Sequence, residues 1–377
     1  MLKTDDDFMV KTIEQALFGR GLTSPNPMVG AILVNDGKIV GCGFHRYDRR
    51  KHAEVWAMEN AKEKTNGATL YVNLEPCCHK GRTAPCCDQI IKSGVVHVVA
   101  AMKDPNPIVA GKGLKKLMDA GIKVTVGIRE KEAQKLNEAY SKYIVLGHPF
   151  VTVKAGVTID GKIAPEKGSQ RWITGLESRQ WAHQLRLETD SILVGIGTIL
   201  QDNPRLTDRS GQERHRPLMR VILDSKLRLP LNSNLVNSLE DGDIIIFCSE
   251  DRDLDRHKEL EDRGIQIIPV AKTTQGIPLK MVLNELGRRE ITSLLIEGGS
   301  EVNFSALQSK IIDKLICLVA PKILGGPAGI RLFGGQGFAT LEEAPLLFFS
   351  KTQKLGQDLM IEAYCFDSQS KHLQEQF

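Results

Sequence analysis

An excess of charge of either sign is missing from this chain: 50 Lys and Arg residues stand against 46 Asp and Glu, leaving a formal charge of +4 over 377 residues. Nucleic-acid and membrane-surface binding draw on a concentrated basic patch. The balance gives neither partner an electrostatic case, so a small-molecule substrate is expected, with no nucleic acid and no membrane. No apolar run reaches about 18 residues, the length that spans a bilayer. The opening Met1–Val10 is acidic and lacks the apolar core of a secretory leader, which makes a cytoplasmic address the expectation. Repeats and low-complexity tracts are absent too. What remains is an ordinary globular composition, 41% hydrophobic and 25% charged, on a chain long enough for two domains.

The eight cysteines do not form a disulfide framework, which belongs to short secreted chains. Cys77, Cys78, Cys86 and Cys87 cluster as thiols do in a cytosolic metal site. Cys42, Cys248, Cys317 and Cys365 sit in apolar, strand-like stretches and read as small buried hydrophobes.

Hydrophobic periodicity predicts alternating strands and helices throughout. Strands are expected at Met28–Asn35, Lys38–His45, Ala68–Leu74, Val95–Met102 and Lys123–Ile128, with helices at Asp6–Phe18, Ala53–Lys64, Pro85–Lys92, Gly113–Ala120 and Glu130–Ile144. Asp36-Gly37 is a hairpin signal. This order predicts a three-layer α/β domain with a mixed sheet. Leu146-Gly147-His148-Pro149 breaks the last helix, and the seam is placed there, between residues 1–147 and 148–377. Beyond it, strands are expected at Phe150–Val157, Ser191–Gly195, Arg220–Asp224, Asp243–Cys248, Ile265–Val270, Ser293–Glu297, Leu315–Ala320 and Leu359–Phe366. Helices are expected at Glu177–Glu188, Asp253–Arg263, Pro278–Arg288 and Ser300–Leu307.

The chemistry concentrates in the first half. His52-Ala53-Glu54 opens a helix, and Pro76-Cys77 and Pro85-Cys86 each present a thiol at a loop end or helix start, where unpaired N–H groups favour the thiolate. One His and two Cys leave a tetrahedral zinc ion one open position, the catalytic arrangement. Glu54, two residues from His52, points elsewhere and can reach a water held there. A His-x-Glu followed by Pro-Cys is the signature of zinc nucleobase deaminases, in which Glu carries protons to the departing amine. The competing reading is a structural zinc knot of Cys77, Cys78, Cys86 and Cys87. Adjacent cysteines serve one tetrahedron poorly, and the knot leaves His52 and Glu54 idle. Cys77 and Cys86, the two that follow proline, are taken as ligands.

The string Leu74-Glu75-Pro76-Cys77-Cys78-His79-Lys80-Gly81-Arg82-Thr83-Ala84-Pro85-Cys86-Cys87 resembles the riboflavin-biosynthesis deaminases. Further matches are Pro25-Asn26-Pro27-Met28-Val29-Gly30, His52-Ala53-Glu54 and Asp104-Pro105-Asn106-Pro107. The second half resembles the reductase fused to that deaminase in bacteria, through Lys154-Ala155-Gly156, Asp160-Gly161-Lys162, Trp172-Ile173-Thr174, Asp202-Asn203-Pro204, Arg220-Val221-Ile222-Leu223-Asp224 and Glu297-Gly298-Gly299. The resemblance implies a cytidine-deaminase-like three-layer α/β domain followed by a dihydrofolate-reductase-like α/β domain, with Zn2+ and NADPH as cofactors; a homo-oligomer is expected, though the sequence itself shows no oligomeric state. It implies hydrolytic deamination of 2,5-diamino-6-(5-phosphoribosylamino)pyrimidin-4(3H)-one, then reduction of the ribosyl chain to ribityl. Asn26, His45, His79, Asp104 and Asn106 would line the deaminase pocket, with Lys80 and Arg82 on the ribose phosphate. Asn26 and Asn106, flanked by prolines, also read as turn residues. Cys78 and Ala84 replace residues common in relatives, which touches only loop shape. An alternative keeps the zinc deaminase but gives it nucleosides or tRNA, with a non-catalytic second domain.

In the second half Gly195-Ile196-Gly197 begins like a dinucleotide fingerprint, but Leu200 takes the third glycine's place. Glu297-Gly298-Gly299-Ser300 ends a strand and opens a helix, either as a phosphate-approaching turn or as an ordinary tight one. By the resemblance, Gly156, Trp172, Thr198, Asp202, Ser225 and the segment from Gly299 hold the cofactor. Lys154, Gln170, Arg186, Leu206, Arg209 and Glu297 face the substrate, with Arg186 and Arg209 as phosphate clamps. Arg186, on a charged helix, also reads as a solvated surface residue. Gln170, and Thr158-Ile159 before Asp160, depart from the common pattern.

Overall fold

The computed structural model describes residues 4–79, 84–166, 172–271, 273 and 276–365. Two compact units divide the chain, Met1–Gly147 with the segment Glu213–Arg216, and His148–Gln212 continued from Pro217 onward.

In the first unit the order is α1 (Asp5–Ala16), β1 (Gly30–Asn35), β2 (Lys38–Phe44), α2 (Ala53–Ala61), β3 (Thr69–Val72), α3 (Cys86–Lys92), β4 (His97–Ala100), α4 (Lys112–Asp119), β5 (Lys123–Val126), α5 (Glu130–Leu136) and α6 (Glu138–Leu146). The sheet runs β2-β1-β3-β4-β5. β1 is antiparallel to β2 and β3, while β3, β4 and β5 are parallel, so the sheet is mixed. Asp36 and Gly37 both take left-handed backbone, φ 49° and 69°, as a two-residue I′ hairpin turn requires.

Strand alternation sorts the core onto two faces. Ala31 and Leu33 pack with Ala53, Ala57 and Ala61 of α2, Cys86 and Ile90 of α3, and Leu114 and Leu117 of α4. Ile32 and Val34 pack with Phe8 and Met9 of α1 and Ala133 of α5. The approach of α2 to the hairpin is close: a Cβ on Gly41 would lie 2.2 Å from the Ala57 carbonyl, and one on Gly43 2.2 Å from that of Ala53. Glycine on the strand and alanine on the helix therefore fix where α2 begins, and with it His52 and Glu54.

The expected single helix Glu130–Ile144 is broken at Asn137 (φ −111°, ψ 22°). Its buried amide accepts from the Met28 N–H at 2.8 Å and donates to the Met28 carbonyl at 3.0 Å. A tertiary bond to the segment leading into β1 outweighs the local helix propensity.

The second unit contains β6 (Phe150–Thr158), β7 (Lys162–Ala164), α7 (Leu176–Leu187), β8 (Ser191–Gly195), α8 (Ile196–Asp202), β9 (Met219–Leu223), β10 (Ile244–Ser249), α9 (Leu254–Glu261), β11 (Gln266–Val270), α10 (Leu279–Arg288), β12 (Ser293–Ile296), α11 (Ser300–Gln308), β13 (Lys314–Ala320), β14 (Ile330–Arg331), β15 (Leu347–Leu355) and β16 (Asp358–Cys365). Nine strands form one sheet in the order β11-β10-β9-β8-β12-β6-β13-β16-β15. It is parallel from β11 to β13 and antiparallel through β16 and β15.

β15 departs from the sequence expectation. It is an edge strand with a register shift between Phe349 and Lys351, and its polar Ser350–Lys354 segment carries no apolar alternation to read. α8 replaces the broken dinucleotide fingerprint with a short helix. Its Ile196 and Ile199 pack on one sheet face with Ile192 and Val194. Ala306 and Val302 of α11 pack on the other with Val151, Leu193 and Ile296. Neighbouring strands β8 and β12 thus send their helices to opposite faces, and the crevice outside their carboxyl ends is where open α/β sheets bind ligands.

Candidate functional site

In the first unit three donor atoms converge. His52 is the N-cap of α2, Cys86 is the first residue of α3, and Cys77 lies in the loop after β3. His52 Nδ1 is 3.1 Å from Cys86 Sγ and 3.4 Å from Cys77 Sγ, and the three ligand atoms all lie within 4.8 Å of one another. Zinc–sulfur and zinc–nitrogen bonds in a tetrahedron place donors roughly 3.5–3.8 Å apart, so this set fits one zinc ion. The thiols' electrostatics agree. Cys77 is pushed down to about 4, first by the hydrogen bond from the Cys86 thiol and then by His52 and the Cys86 backbone N–H, while Cys86 is pushed well up by the same pairing. Two thiols sharing one proton make a place where a divalent cation displaces it. Cys87 faces away and donates to the Pro76 carbonyl at 3.4 Å.

Glu54, the second residue of α2, is 3% exposed. Burial raises its carboxyl above the ordinary range, with the Cys86 thiol beside it. A carboxyl poised upward beside a metal donor set is suited to taking and giving a proton.

Beside the donors, the His45 ring meets the His52 ring edge-on at 5.5 Å. His45 Nδ1 donates to the Lys51 carbonyl at 3.1 Å, which leaves Nε2 to accept from the Asn26 amide at 3.0 Å. Burial pushes His45 down to about 4, so the ring is neutral. Asn26 and His45 thus form one polar pair. Asp104 is pushed up to about 6 by burial and accepts from the Asn106 N–H at 2.9 Å and the Tyr140 hydroxyl at 3.1 Å. The Asn106 side chain accepts the Ile108 N–H at 3.0 Å, a turn role. His79 is exposed and adds an attractive charge at Asp104. Lys80 and Arg82 lie outside the described residues.

Sequence reasoning gave no role to Glu75, buried within the cysteine string. Its carboxylate accepts the N–H groups of Asp104 (3.1 Å), Gly111 (2.8 Å), Gly113 (2.8 Å) and Leu114 (3.3 Å), fixing the loop that presents Asp104. A carboxylate inside an apolar run was the available signal.

The second unit carries a cleft of about 1050 Å³ at the carboxyl ends of β6, β8 and β12, a volume at the upper end of small-molecule sites. Lys154, Gly156, Thr198, Asp202, Glu297 and Gly299 all line it. Gly299 is the N-cap of α11 in extended backbone, with no side-chain cap of its N–H groups, so donors and a positive helix end face the cleft. Cleft size and donor chemistry fit a dinucleotide. Glu297 is held by Lys154 Nζ at 2.7 Å and by Arg186 Nε and Nη2 at 2.7 and 2.9 Å. Burial alone would raise its carboxyl, but Arg186 and then Lys154 hold it far below its ordinary range.

Arg186 is therefore not a solvated surface residue. Its remaining Nη1 donates to the Thr207 carbonyl at 2.8 Å. Leu206 is a core residue in left-handed backbone, φ 55° and 4% exposed. Arg209 and Trp172 are exposed, with the Arg179 guanidinium 4.9 Å from the Trp172 ring centroid. Ser225 follows β9, half-buried, and its carbonyl accepts the Ser249 N–H at 3.2 Å. Gln170 lies outside the described residues.

Fold and donor set together define a zinc-site deaminase domain joined to an NADPH-type reductase domain. The two halves match two family models, the cytidine and deoxycytidylate deaminase zinc-binding region over residues 2–102 and the RibD C-terminal domain over residues 149–361. The riboflavin biosynthesis protein RibD of Aquifex aeolicus is 42% identical over 357 residues, covering 95% of this chain and 97% of its own. That of Escherichia coli K12 is 36% identical, covering 95% and 98%. Among solved structures, Acinetobacter baumannii RibD matches with a TM-score of 0.84 at 35% identity, covering 97% of this chain and 100% of its own. A Thermotoga maritima structure named as a diaminohydroxyphosphoribosylaminopyrimidine deaminase/5-amino-6-(5-phosphoribosylamino)uracil reductase matches at 0.83 and 35%, covering 96% and 98%. This chain belongs to the RibD family of riboflavin-biosynthesis proteins.

Proposed function

We propose that this chain carries out two consecutive steps of riboflavin biosynthesis. Residues 1–147 form the zinc-dependent deaminase, which hydrolyses the pyrimidine 2-amino group of 2,5-diamino-6-(5-phosphoribosylamino)pyrimidin-4(3H)-one and releases ammonia. Residues 148–377 form the reductase, which uses NADPH to turn the ribosyl chain of the product into ribityl. The observation that carries the first assignment is the convergence of His52, Cys77 and Cys86 next to a buried Glu54.

His52, Cys77 and Cys86 hold the metal. When bound, zinc supplies Lewis-acid activation of water. Glu54 takes a proton from the attacking water and delivers it to the departing amine, for which its raised carboxyl is suited. The neutral His45, its ring nitrogens taken by Lys51 and Asn26, fixes Asn26 on one side of the pyrimidine pocket, and Asp104 and Asn106 offer a second polar side. His79, Lys80 and Arg82 serve the substrate from the cysteine loop.

In the reductase, NADPH supplies the hydride, and the residues bind and orient. Gly156, Thr198, Asp202 and the segment from Gly299 hold the cofactor along the cleft, with Trp172 and Ser225 at its margins. Lys154, Glu297, Leu206, Arg209 and Gln170 face the substrate. Arg186 acts there through Glu297, which it fixes.

Among the described residues no helix is long and apolar enough to cross a membrane. A cytoplasmic address fits the reduced thiols that the metal set needs. A homo-oligomer is favoured by the exposed apolar residues Leu341, Leu346 and Phe349, 88%, 77% and 67% accessible.

Glu54→Gln tests the deaminase reading. Zinc content by elemental analysis stays at the wild-type level while deamination falls by about 10²–10⁴. Undiminished activity would remove Glu54 from the reaction.

A further inference from the structure

We propose that Glu213–Arg216 is a positioning segment of the deaminase, holding the Asn26 and His45 side of the pyrimidine pocket in place; this rests on the deaminase reading given above. The segment lies in the chain between α8 and β9, well beyond Gly147, yet it packs as part of the first unit. What it packs against is the loop that carries Asn26. Residues 21–27 lie between α1 and β1, outside helix and strand, and such a loop takes its shape from whatever pairs its polar groups. Within it the Asn26 N–H donates to the Thr23 carbonyl at 2.9 Å. The Gly21 carbonyl accepts the His215 N–H at 2.7 Å, and the Leu22 carbonyl accepts the Tyr47 N–H at 3.0 Å. Ser24 Oγ accepts from Arg216 Nη2 at 2.7 Å, across 192 residues of sequence.

The same segment grips the turn that follows His45. Arg46 gives Nη1 and Nη2 to the two Glu213 carboxylate oxygens at 3.1 and 2.7 Å, and Nε and Nη2 to Asp48 at 3.0 and 3.1 Å. The Tyr47 ring lies 4.2 Å from that of His215 between centroids. Arg46 pairs in a β-bridge with Lys51, whose carbonyl takes the His45 ring, and the next residue is the metal donor His52. Glu213–Arg216 is thus tied to the Asn26 loop on one side and to the His45–Lys51 loop on the other, and Asn26 meets His45 at 3.0 Å where the two loops come together. With the Glu213 side chain 64% exposed, the ion pair adds little stability; a two-pronged guanidinium–carboxylate contact supplies orientation instead. Orientation matters here, because a side chain that reads a substrate edge loses up to about 100-fold in rate for a misplacement of about 1 Å.

The test uses the full chain. Arg216→Ala removes the donor and Ser24→Ala the acceptor of one bond. Each should raise KM for ammonia release from the diamino substrate about 5–30-fold, on the scale of one hydrogen bond. The kcat should change less than about threefold, because Glu54 and the metal donors are set by α2, α3 and the loop after β3. The double variant should be no worse than Arg216→Ala, since both changes break the same bond, and Arg216→Lys should recover part of the loss. Zinc content, and NADPH consumption with the deaminated intermediate, should match wild type. Ser24→Ala trims a single hydroxyl from a loop and carries the same test if Arg216→Ala loses its fold. Unchanged KM in Ser24→Ala, additive losses in the double variant, or a fall in zinc and NADPH consumption alongside deamination in Ser24→Ala overturns the positioning role. A wild type that holds zinc and releases no ammonia sinks the deaminase reading itself, and the proposal with it.

Discussion

Arg186 meets Glu297 through two parallel hydrogen bonds, Nε at 2.7 Å and Nη2 at 2.9 Å. A guanidinium placed this way is a carboxylate clamp. With 16% and 10% of the two side chains exposed, its loss leaves a buried carboxylate with Lys154 alone. Arg186→Ala is expected to destabilise the reductase unit by on the order of 3 kcal/mol and to lower kcat for NADPH oxidation along with raising KM. Chemical denaturation and steady-state kinetics check this. A pure KM effect with unaltered stability would favour Arg186 as a direct phosphate clamp.

The pH dependence of that cluster has a definite sign. Glu297 is held below its ordinary value of 4.5 in the folded chain, so between the folded and unfolded values the unfolded state binds more protons. The pair's contribution is fully present above about pH 4.5 and is lost as pH falls through the folded value. The stability gap between wild type and Glu297→Gln should therefore be widest at neutral pH and narrow in strong acid. A gap that stays constant down to pH 2 contradicts the assignment.

Among the described residues, one group of His, Cys, Asp or Glu side chains has metal-ligand spacing, and it lies in the first unit. Chelation should stop ammonia release from the diamino substrate and leave NADPH consumption with the deaminated intermediate intact. Parallel loss of both activities would show that zinc supports more than the deaminase.

The adjacent cysteines separate by direction. Cys86 Sγ meets His52, whereas Cys87 Sγ turns to the Pro76 carbonyl. Cys86→Ala should lose zinc, and Cys87→Ala should keep about one zinc per chain with a modest loss of stability from the vacated core volume. Zinc loss in Cys87→Ala and retention in Cys86→Ala would reverse the choice of ligand.

The donor set was legible because its members are local signals: a His-x-Glu at a helix start and two Pro-Cys pairs. Most strands were legible for the same reason, as buried parallel strands carry short apolar runs. What stayed hidden depends on contacts far apart in sequence. Arg186 and Glu297 are 111 residues apart, so the helix pattern around Arg186 reads as a charged surface. Asn137 breaks a helix to bond Met28, 109 residues away, and β15 pairs at an edge where polar residues suffice.

Asp104 sets stability against the pocket role proposed for it. Burial pushes its carboxyl from 3.8 up to about 6. Between these values the folded chain holds more protons than the unfolded one, so stability falls as pH rises through that window and is level above it. At neutral pH the buried charge costs about 3 kcal/mol. Asp104→Asn retains an oxygen for the Asn106 N–H and the Tyr140 hydroxyl but removes the charge. The variant should match wild type near pH 4, become progressively more stable than it up to about pH 6, and lose deaminase kcat/KM. Urea midpoints at pH 4, 5, 6 and 7, paired with ammonia release at pH 7, decide the matter. A variant less stable than wild type at pH 7 would mean that the carboxylate is charge-stabilised in its place, and one with full activity would take Asp104 out of the pyrimidine pocket.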